Sequence, residues 1–227
     1  MTKSLSADID SGNIVILLHG IGRTYRSMRR LEKVIAQKGY QVLNIDYPSR
    51  KKNISALARD VYQHLLPYAN QKGKTLHFVT HSMGGLVLRG LLAQYELNNV
   101  GRVVMLVPPN QGSEVADFLK NNILYKLFYG PAGQELTTKA AKTNPIPKIN
   151  FDLGIIAGNR CWDPICYFLL PGKHDGKVTI QSTKYQGMTD HIVLAASHSW
   201  LMNNKKVIYQ VITFLARGQF NHHHEIT

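Results

Sequence analysis

Six short apolar runs alternate with stretches of helical periodicity along this chain of 227 residues. The runs are rich in Val, Ile and Leu and are nearly continuous, which is typical of strands buried on both faces of a parallel sheet. They are Ile14–His19, Tyr40–Asp46, Thr75–Thr80, Val100–Val107, Leu153–Ala157 and Ile192–Ala196. Parallel strands need long crossover connections, and these are usually helices. The alternation therefore predicts an α/β fold with a mostly parallel, doubly wound sheet.

Three segments place their apolar residues on one helical face. They are Ser27–Lys38, Ile54–Asn70 and Asn203–Arg217. Asn203 or Asn204 is expected to cap the last of them, because an Asn side chain accepts hydrogen bonds from the first amides of a helix. The sequence thus predicts helices on both faces of the sheet, within a single domain that covers residues 1–227.

Residues 110–148 interrupt this alternation. They contain an amphipathic segment and then a passage rich in Pro and Thr. A long insert between strands of an α/β sheet is often a lid or a binding loop, but an ordinary packed helix with a loop fits the pattern equally well. Residues 219–227 include three consecutive histidines, and we expect them to form a flexible tail. The apolar residues of the amphipathic segment are Val115, Phe118, Leu119, Ile123 and Leu127.

Composition excludes several classes of protein. Apolar residues make up 44% of the chain and charged residues 18%, so a folded core is expected rather than disorder. No apolar run approaches the roughly 20 residues that span a bilayer. Met1–Gly12 lacks the apolar centre of a signal peptide, and a cytoplasmic location is the default expectation. Cys161 and Cys166 form neither a framework of disulfides nor a zinc-binding pattern, so no metal is expected.

The strongest chemical signal is Thr80-His81-Ser82-Met83-Gly84-Gly85, which lies between an apolar strand and a helix. A serine at a sharp turn from strand to helix is held with its hydroxyl clear of the sheet, and small neighbours let the strand and the helix approach closely. The N-terminus of the following helix stabilises negative charge. The pattern therefore indicates a serine nucleophile.

This motif resembles the G-x-S-x-G nucleophile elbow of the α/β-hydrolase family, and Thr80 departs from it where the first Gly is usual. The sequence His19-Gly20-Ile21 resembles the oxyanion loop of lipases and esterases. By that resemblance, the backbone N–H groups of Ile21 and Met83 form the oxyanion hole. His19 itself is expected to brace the loop. The resemblance implies an α/β-hydrolase fold with a small lid-like insert.

The family places an acid and then a histidine after the nucleophile. Asp175 lies in His174-Asp175-Gly176-Lys177-Val178, which resembles the D-G-x-V loop of lipase-like hydrolases. Asp163, which precedes a proline, is the second candidate for the acid. His198 lies in the loop before the last helix, where the family has its catalytic histidine, whereas His191 opens a strand and is expected to have no catalytic role.

The resemblance implies a serine hydrolase that cleaves carboxylic esters through an acyl-enzyme on Ser82, without a cofactor. An acyltransferase or a thioesterase would use the same triad, because water and an alcohol can attack the same acyl-enzyme. A non-catalytic binding module is a further alternative. A nucleic-acid binder is suggested by charge alone, and no helix-turn-helix, RNP or zinc-finger pattern supports it.

The net charge of +13 predicts an anionic partner. Ligands of open α/β sheets bind at the carboxyl ends of the strands, where nine basic residues are expected, including Lys173 and Lys177. The four expected to form a substrate rim are Arg23, Arg26, Arg50 and Lys51. Such a rim would attract acidic esters or an anionic lipid surface, with peripheral membrane contact, but a solvated rim that serves solubility is the competing interpretation. The sequence does not indicate an oligomeric state.

Overall fold

The computed structural model describes residues 12–143, 149–161, 170 and 172–223. Its centre is a sheet of six strands, and every neighbouring pair is parallel. The spatial order of the strands is β2-β1-β3-β4-β5-β6. The strands are β1 (Asn13–Leu18), β2 (Gln41–Ile45), β3 (Thr75–His81), β4 (Val100–Leu106), β5 (Leu153–Gly158) and β6 (Asp190–Leu194). The fold predicted from the apolar runs is confirmed, because the sheet is parallel throughout the described part of the chain.

Helices cover both faces of the sheet. On one face, α2 (Ile54–Leu65) and α3 (Met83–Gln94) pack over Ile14 and Ile16. On the other, α1 (Arg29–Ala36) and α8 (Lys205–Arg217) pack over Val15 and Leu17. Alternate residues of β1 thus enter two separate cores, as the period of two in a strand requires. This double burial explains why the strands read as continuous apolar runs.

The chain reverses its direction across the sheet between β1 and β3. From β1 it passes to β2 at one edge, and from β3 it proceeds through β4 and β5 to β6 at the other edge. The loops that leave the carboxyl ends of β1 and β3 diverge to opposite sides, so a crevice opens between them. Ligands of open α/β sheets bind at such a switch point.

The insert after β4 is largely helical. It contains α4 (Glu114–Leu119), α5 (Ile123–Gln134) and α6 (Thr138–Thr143), and residues 144–148 lie outside the described part. A kink at Gly130, where φ is 61°, divides α5 before Pro131. The insert is followed by β5, and the four-residue helix α7 (Ile180–Thr183) precedes β6.

The structure describes residues 219–223 of the expected tail, and residues 224–227 lie outside the described part. Phe220 is buried against Phe214, and its N–H donates a hydrogen bond of 2.8 Å to the Asp190 carboxylate. The side chain of Asn204 caps α8 by accepting from the amides of the first turn, which decides between the two capping candidates. Within the described ranges, no helix has both the length and the apolar composition needed to cross a membrane.

Candidate active site

Ser82 lies at the turn that joins β3 to α3. Its backbone has φ 52° and ψ −124°, a region that residues other than glycine rarely occupy. The Ser82 N–H donates to the Leu106 carbonyl on β4, at 2.8 Å, and this bond holds the turn against the neighbouring strand. A backbone held in so rare a conformation persists only where the surroundings enforce it, and such sites are often functional.

Close packing around this turn depends on glycine. A Cβ on Gly84 would lie 2.5 Å from the Leu18 carbonyl oxygen at the end of β1. A Cβ on Gly20 would lie 2.8 Å from Nδ1 of His81 and 3.2 Å from Cβ of Ser82. The absence of these side chains lets the β1 loop and the start of α3 meet at Ser82. Thr80, which replaces the usual first Gly, is accommodated as a fully buried residue of β3.

A chain of two hydrogen bonds leads away from the Ser82 hydroxyl. Nε2 of His198 lies 3.0 Å from Ser82 Oγ, and Nδ1 of His198 lies 2.7 Å from Oδ2 of Asp175. A carboxylate only accepts hydrogen bonds, so Nδ1 carries the proton and Nε2 faces the hydroxyl as an acceptor. All three side chains are buried. The structure thus joins the three residues that the sequence analysis selected as nucleophile, acid and base.

The loop around Asp175 orients its carboxylate. Oδ1 accepts the backbone N–H groups of Lys177 and Val178, each at 2.9 Å. The backbone N–H of His198 donates to the carbonyl of Asp175 at 3.1 Å, which ties the two loops together. With Oδ1 occupied by amides, Oδ2 is directed at the imidazole. Asp163, the second candidate for the acid, lies outside the described residues.

His81, for which the sequence predicted no role, lines the cavity together with Ser82 and His198. Its Nε2 lies 3.0 Å from the backbone carbonyl of His198. Burial and the nearby His198 lower the pKa of His81 well below its ordinary value, so its ring is neutral. A histidine at the end of a buried strand, directly before the nucleophile, was the signal that could have identified it.

The two backbone amides predicted for the oxyanion hole belong to opposite sides of the crevice. Met83 is the first residue of α3, whose first amides have no partner within the helix. Ile21 follows Gly20 in the β1 loop and lines the cavity above Ser82. The next amide, that of Gly22, donates to the Ser49 hydroxyl at 3.2 Å.

His19 connects the β1 loop to the loop that follows β2. Its ring is fully buried and stacks on Tyr47 with the ring centres 4.1 Å apart. Nδ1 donates to the Gly20 carbonyl at 2.9 Å, and the Tyr47 hydroxyl donates to the carbonyl of His19. Burial lowers the pKa of His19, so the imidazole is neutral. His191 lies on β6, the edge strand that pairs with β5, and its ring contacts the Thr183 hydroxyl. Two strands, β4 and β5, separate β6 from β3, which carries the nucleophile turn.

A cavity of about 90 Å³ lies directly above Ser82. Apolar residues of the insert form one wall, and the basic side chains of Arg23 and Lys177 lie at its border. The other predicted rim residues, Arg26, Arg50 and Lys51, are exposed to solvent. The apolar wall comprises Val115, Ala116, Leu119, Tyr125, Tyr129 and Leu136.

The chain is similar to proteins of known function. The model of the family described as palmitoyl protein thioesterase matches residues 14–144, more than half of the chain. The lysosomal thioesterase PPT2 of Rattus norvegicus is 28% identical over 136 residues, which are 54% of this chain and 45% of that protein. The PPT2-B protein of Xenopus laevis is 30% identical over 104 residues, 43% of this chain and 36% of that protein. The chain thus spans less than half the length of these curated relatives.

Solved structures share the fold. The mature lipase BlEst2 of Bacillus licheniformis superposes with a TM-score of 0.71 at 19% identity and covers 94% of each chain. The metagenomic carboxyl esterase MGS0156 has a TM-score of 0.68 at 16% identity, over 83% of this chain and 65% of that one. These matches show that the chain has the α/β-hydrolase fold of lipases and esterases.

The comparisons correct one expectation and establish the family. A cytoplasmic location was the default from the sequence, and the match to proteins named as lysosomal thioesterases overturns that default. The family match and the superpositions agree with the elbow at Ser82 and with the resemblance noted in the sequence. The chain belongs to the palmitoyl protein thioesterase family and has the α/β-hydrolase fold.

Proposed function

We propose that the protein hydrolyses fatty acyl thioesters through an acyl-enzyme on Ser82. The observation that carries this proposal is the continuous hydrogen-bonded chain from Ser82 Oγ through His198 to Asp175. The family match favours a thioester as the scissile bond. Hydrolysis of carboxylic esters, expected from the sequence, is the second candidate, and the superposed lipase and esterase structures favour it only through the fold.

Each residue has a role that its geometry supports. His198 accepts the proton of the Ser82 hydroxyl through Nε2 as Oγ attacks the acyl carbon, and Asp175 stabilises the imidazolium that forms. The amides of Ile21 and Met83 bind the oxyanion, and losing one such donor typically costs about 3–4 kcal/mol of transition-state stabilisation. The thiol leaves with the proton from His198. Water, deprotonated by His198, then attacks the acyl-enzyme and releases the fatty acid.

The two ends of the substrate meet different surroundings. The acyl chain is expected along the apolar wall that Leu119, Tyr125 and Tyr129 contribute. Arg23 and Lys177 border the same cavity, so they favour a leaving group that carries negative charge. A thioester that joins a fatty acid to an anionic thiol would place its acyl chain on the apolar wall and its negative charge near Arg23 and Lys177.

A matched substrate series tests the proposal. The wild type and Ser82→Ala are each assayed on acyl-coenzyme A thioesters and on p-nitrophenyl esters with the same acyl chains, from butyryl to palmitoyl. We expect higher kcat/KM on thioesters than on esters, an increase with chain length, and loss of both activities in Ser82→Ala. The variant should keep the thermal stability of the wild type, since Ser82 makes few packing contacts that Cβ does not preserve.

Three results would contradict the proposal. Turnover by Ser82→Ala at the wild-type rate would exclude Ser82 as the nucleophile. A preference for esters over thioesters at every chain length would favour the second candidate instead. Products that retain the acyl group on an added alcohol, in place of free fatty acid, would indicate an acyltransferase.

A further inference from the structure

Helices α4 and α5 expose an unusual amount of apolar surface. The exposed fractions of Leu127, Ile123 and Leu124 are 77%, 72% and 71%, and Phe118 and Phe128 are exposed as well. Single exposed apolar residues are common, but a cluster of five within eleven residues of sequence is of the kind that marks an interaction site. Leu124, Leu127 and Phe128 of this cluster line one surface depression. Three of the five apolar residues of the predicted amphipathic segment, Phe118, Ile123 and Leu127, are exposed.

Helix α5 is apolar on two opposite faces. Ile123, Leu124, Leu127 and Phe128 occupy positions i, i+1, i+4 and i+5, which form one helical face, and this face is exposed. The opposite face carries Tyr125, which is buried, and both Tyr125 and Tyr129 line the cavity above Ser82. One helix thus separates the cavity from the exposed apolar patch.

The patch is held against the loops of the site. The backbone of α5 passes so close to the Arg50 carbonyl at Gly130 that no side chain would fit there. The guanidinium of Arg50 lies over the ring of Phe128, 5.1 Å from its centre. A Cβ on Gly22, in the oxyanion loop, would be 3.6 Å from the same ring. The exposed apolar face is therefore fixed next to the mouth of the cavity.

The charge around this patch is positive. Lys126 lies on α5 itself, Lys120 lies between α4 and α5, and Arg50 and Lys51 lie in the adjoining loop. The acidic residues of α4 are bound internally. Asp117 accepts hydrogen bonds from the backbone and hydroxyl of Thr138, and Glu114 accepts one from the Ser182 hydroxyl. The surface that remains combines apolar side chains with cationic ones.

We propose that this surface docks the protein on a bilayer that contains anionic phospholipid. The docking surface is defined as Phe118, Ile123, Leu124, Leu127 and Phe128 together with Arg50, Lys120 and Lys126. Apolar side chains with basic neighbours are what such a membrane binds, because they enter the acyl region while the cations contact phosphate groups. A second copy of the chain is disfavoured as the occupant, since it would bring two positive surfaces together in a protein with a net charge of +13.

Docking would bring the active site to substrates held in the membrane. This link between docking and catalysis rests on the proposed function. With the docking surface on the bilayer, α5 alone lies between the membrane and the cavity that Tyr125 and Tyr129 line. A membrane-borne acyl chain would then reach Ser82 past the side of α5, without crossing bulk water.

Vesicle sedimentation tests the docking separately from catalysis. The full chain is mixed with vesicles of phosphatidylcholine alone or of phosphatidylcholine with phosphatidylglycerol. The wild type should sediment with the mixed vesicles, and Leu124→Ser combined with Leu127→Ser should weaken that binding by about tenfold or more. The matched control is Leu66→Ser, because Leu66 is also exposed but follows α2 at the amino-terminal edge of the sheet. Thermal unfolding verifies that each variant is folded.

Further variants separate the sources of binding. Lys126→Glu should weaken binding to the mixed vesicles several-fold and leave the weak binding to neutral vesicles unchanged. Ser82→Ala should bind like the wild type, so its loss of hydrolysis speaks to the proposed function alone. Equal binding by the wild type and the double Leu variant would overturn the proposal. So would a dimer in sedimentation velocity that the double variant abolishes, because the patch would then be a contact between two copies.

Discussion

The imidazole of His81 donates a hydrogen bond from Nε2 to the backbone carbonyl of His198, with the two atoms 3.0 Å apart. The carbonyl can only accept, so the proton lies on Nε2 and Nδ1 is left as an acceptor. That Nδ1 has no hydrogen-bond partner among the described residues, and it faces the position where Gly20 lacks a Cβ. The ring therefore fills the space between the oxyanion loop and the loop that carries His198.

His81 is expected to position His198. Replacing it with Ala removes the donor to the His198 carbonyl, and we expect kcat to fall by about tenfold or more with little change in KM, since small displacements of catalytic groups are costly. His81→Gln keeps a nitrogen donor at a similar reach and should recover most of that loss. Steady-state kinetics over a range of pH provides the measurement. A purely structural role would instead lower stability in both variants and leave kcat of the folded enzyme unchanged.

Gly84 is expected to tolerate no side chain. Its missing Cβ would lie 2.5 Å from the Leu18 carbonyl oxygen, which is rigid backbone. Gly84→Ala should lower the free energy of unfolding by about 2–3 kcal/mol through overpacking. Gly90→Ala is a matched control in the same helix, because the nearest atom there is a methyl carbon of Ile54 at 3.3 Å. The control should stay within about 1 kcal/mol of the wild type. Urea denaturation compares them, and equal stabilities would refute the clash.

His77 is expected to make the fold sensitive to acid. Nδ1 of His77 accepts the backbone N–H of Arg102 at 2.8 Å, beside the irregularity in the pairing of β3 with β4. Burial, with a smaller contribution from the positive charge of Arg102, lowers the pKa of His77 to about 4. Between about pH 4 and 6.5 the unfolded chain binds this proton more readily than the folded chain, so stability falls as the pH is lowered through that range.

Comparison with a variant isolates this contribution. Burial also lowers the pKa values of His19, His81 and His191, so the wild-type stability includes their effects. The difference in free energy of unfolding between the wild type and His77→Gln should therefore be measured from pH 4 to pH 7. His77→Gln should show a shallower decline on acidification. Parallel curves for the two proteins would contradict the assignment.

Arg23 is expected to make substrate binding depend on salt. It borders the cavity above Ser82 together with Lys177. Raising the ionic strength from about 0.01 M to 1 M shortens the Debye length from about 30 Å to 3 Å, so KM for an acyl-coenzyme A should rise several-fold. KM for a neutral ester of the same chain length should change much less. Arg23→Gln should reduce the increase of KM with salt. If KM of that variant depends on salt as in the wild type, the basic rim serves solubility and does not bind the substrate.

Local patterns in the sequence were sufficient to predict the architecture, and together with the family resemblance they selected the three residues of the candidate triad. All six strands lie where the apolar runs predicted them, with differences of one or two residues at their ends, because double burial leaves a continuous record in the sequence. Ser82 was selected from its turn between strand and helix, and Asp175 and His198 were selected because their loops resemble those of the α/β-hydrolase family. The distances among their side chains could not be predicted from the sequence, because Ser82 and His198 are 116 residues apart along the chain.

Other features were decided only by the tertiary structure. The apolar residues of α5 look alike in the sequence, yet Tyr125 lines the cavity and Leu127 is exposed, because the packing of the helix against the Arg50 loop selects the buried face. His81 contacts the backbone of a loop that lies more than a hundred residues later in the chain. Short-range patterns predict the secondary structure of a segment. The contacts of a side chain cannot be predicted from them, because they depend on which distant segments the sheet brings beside it.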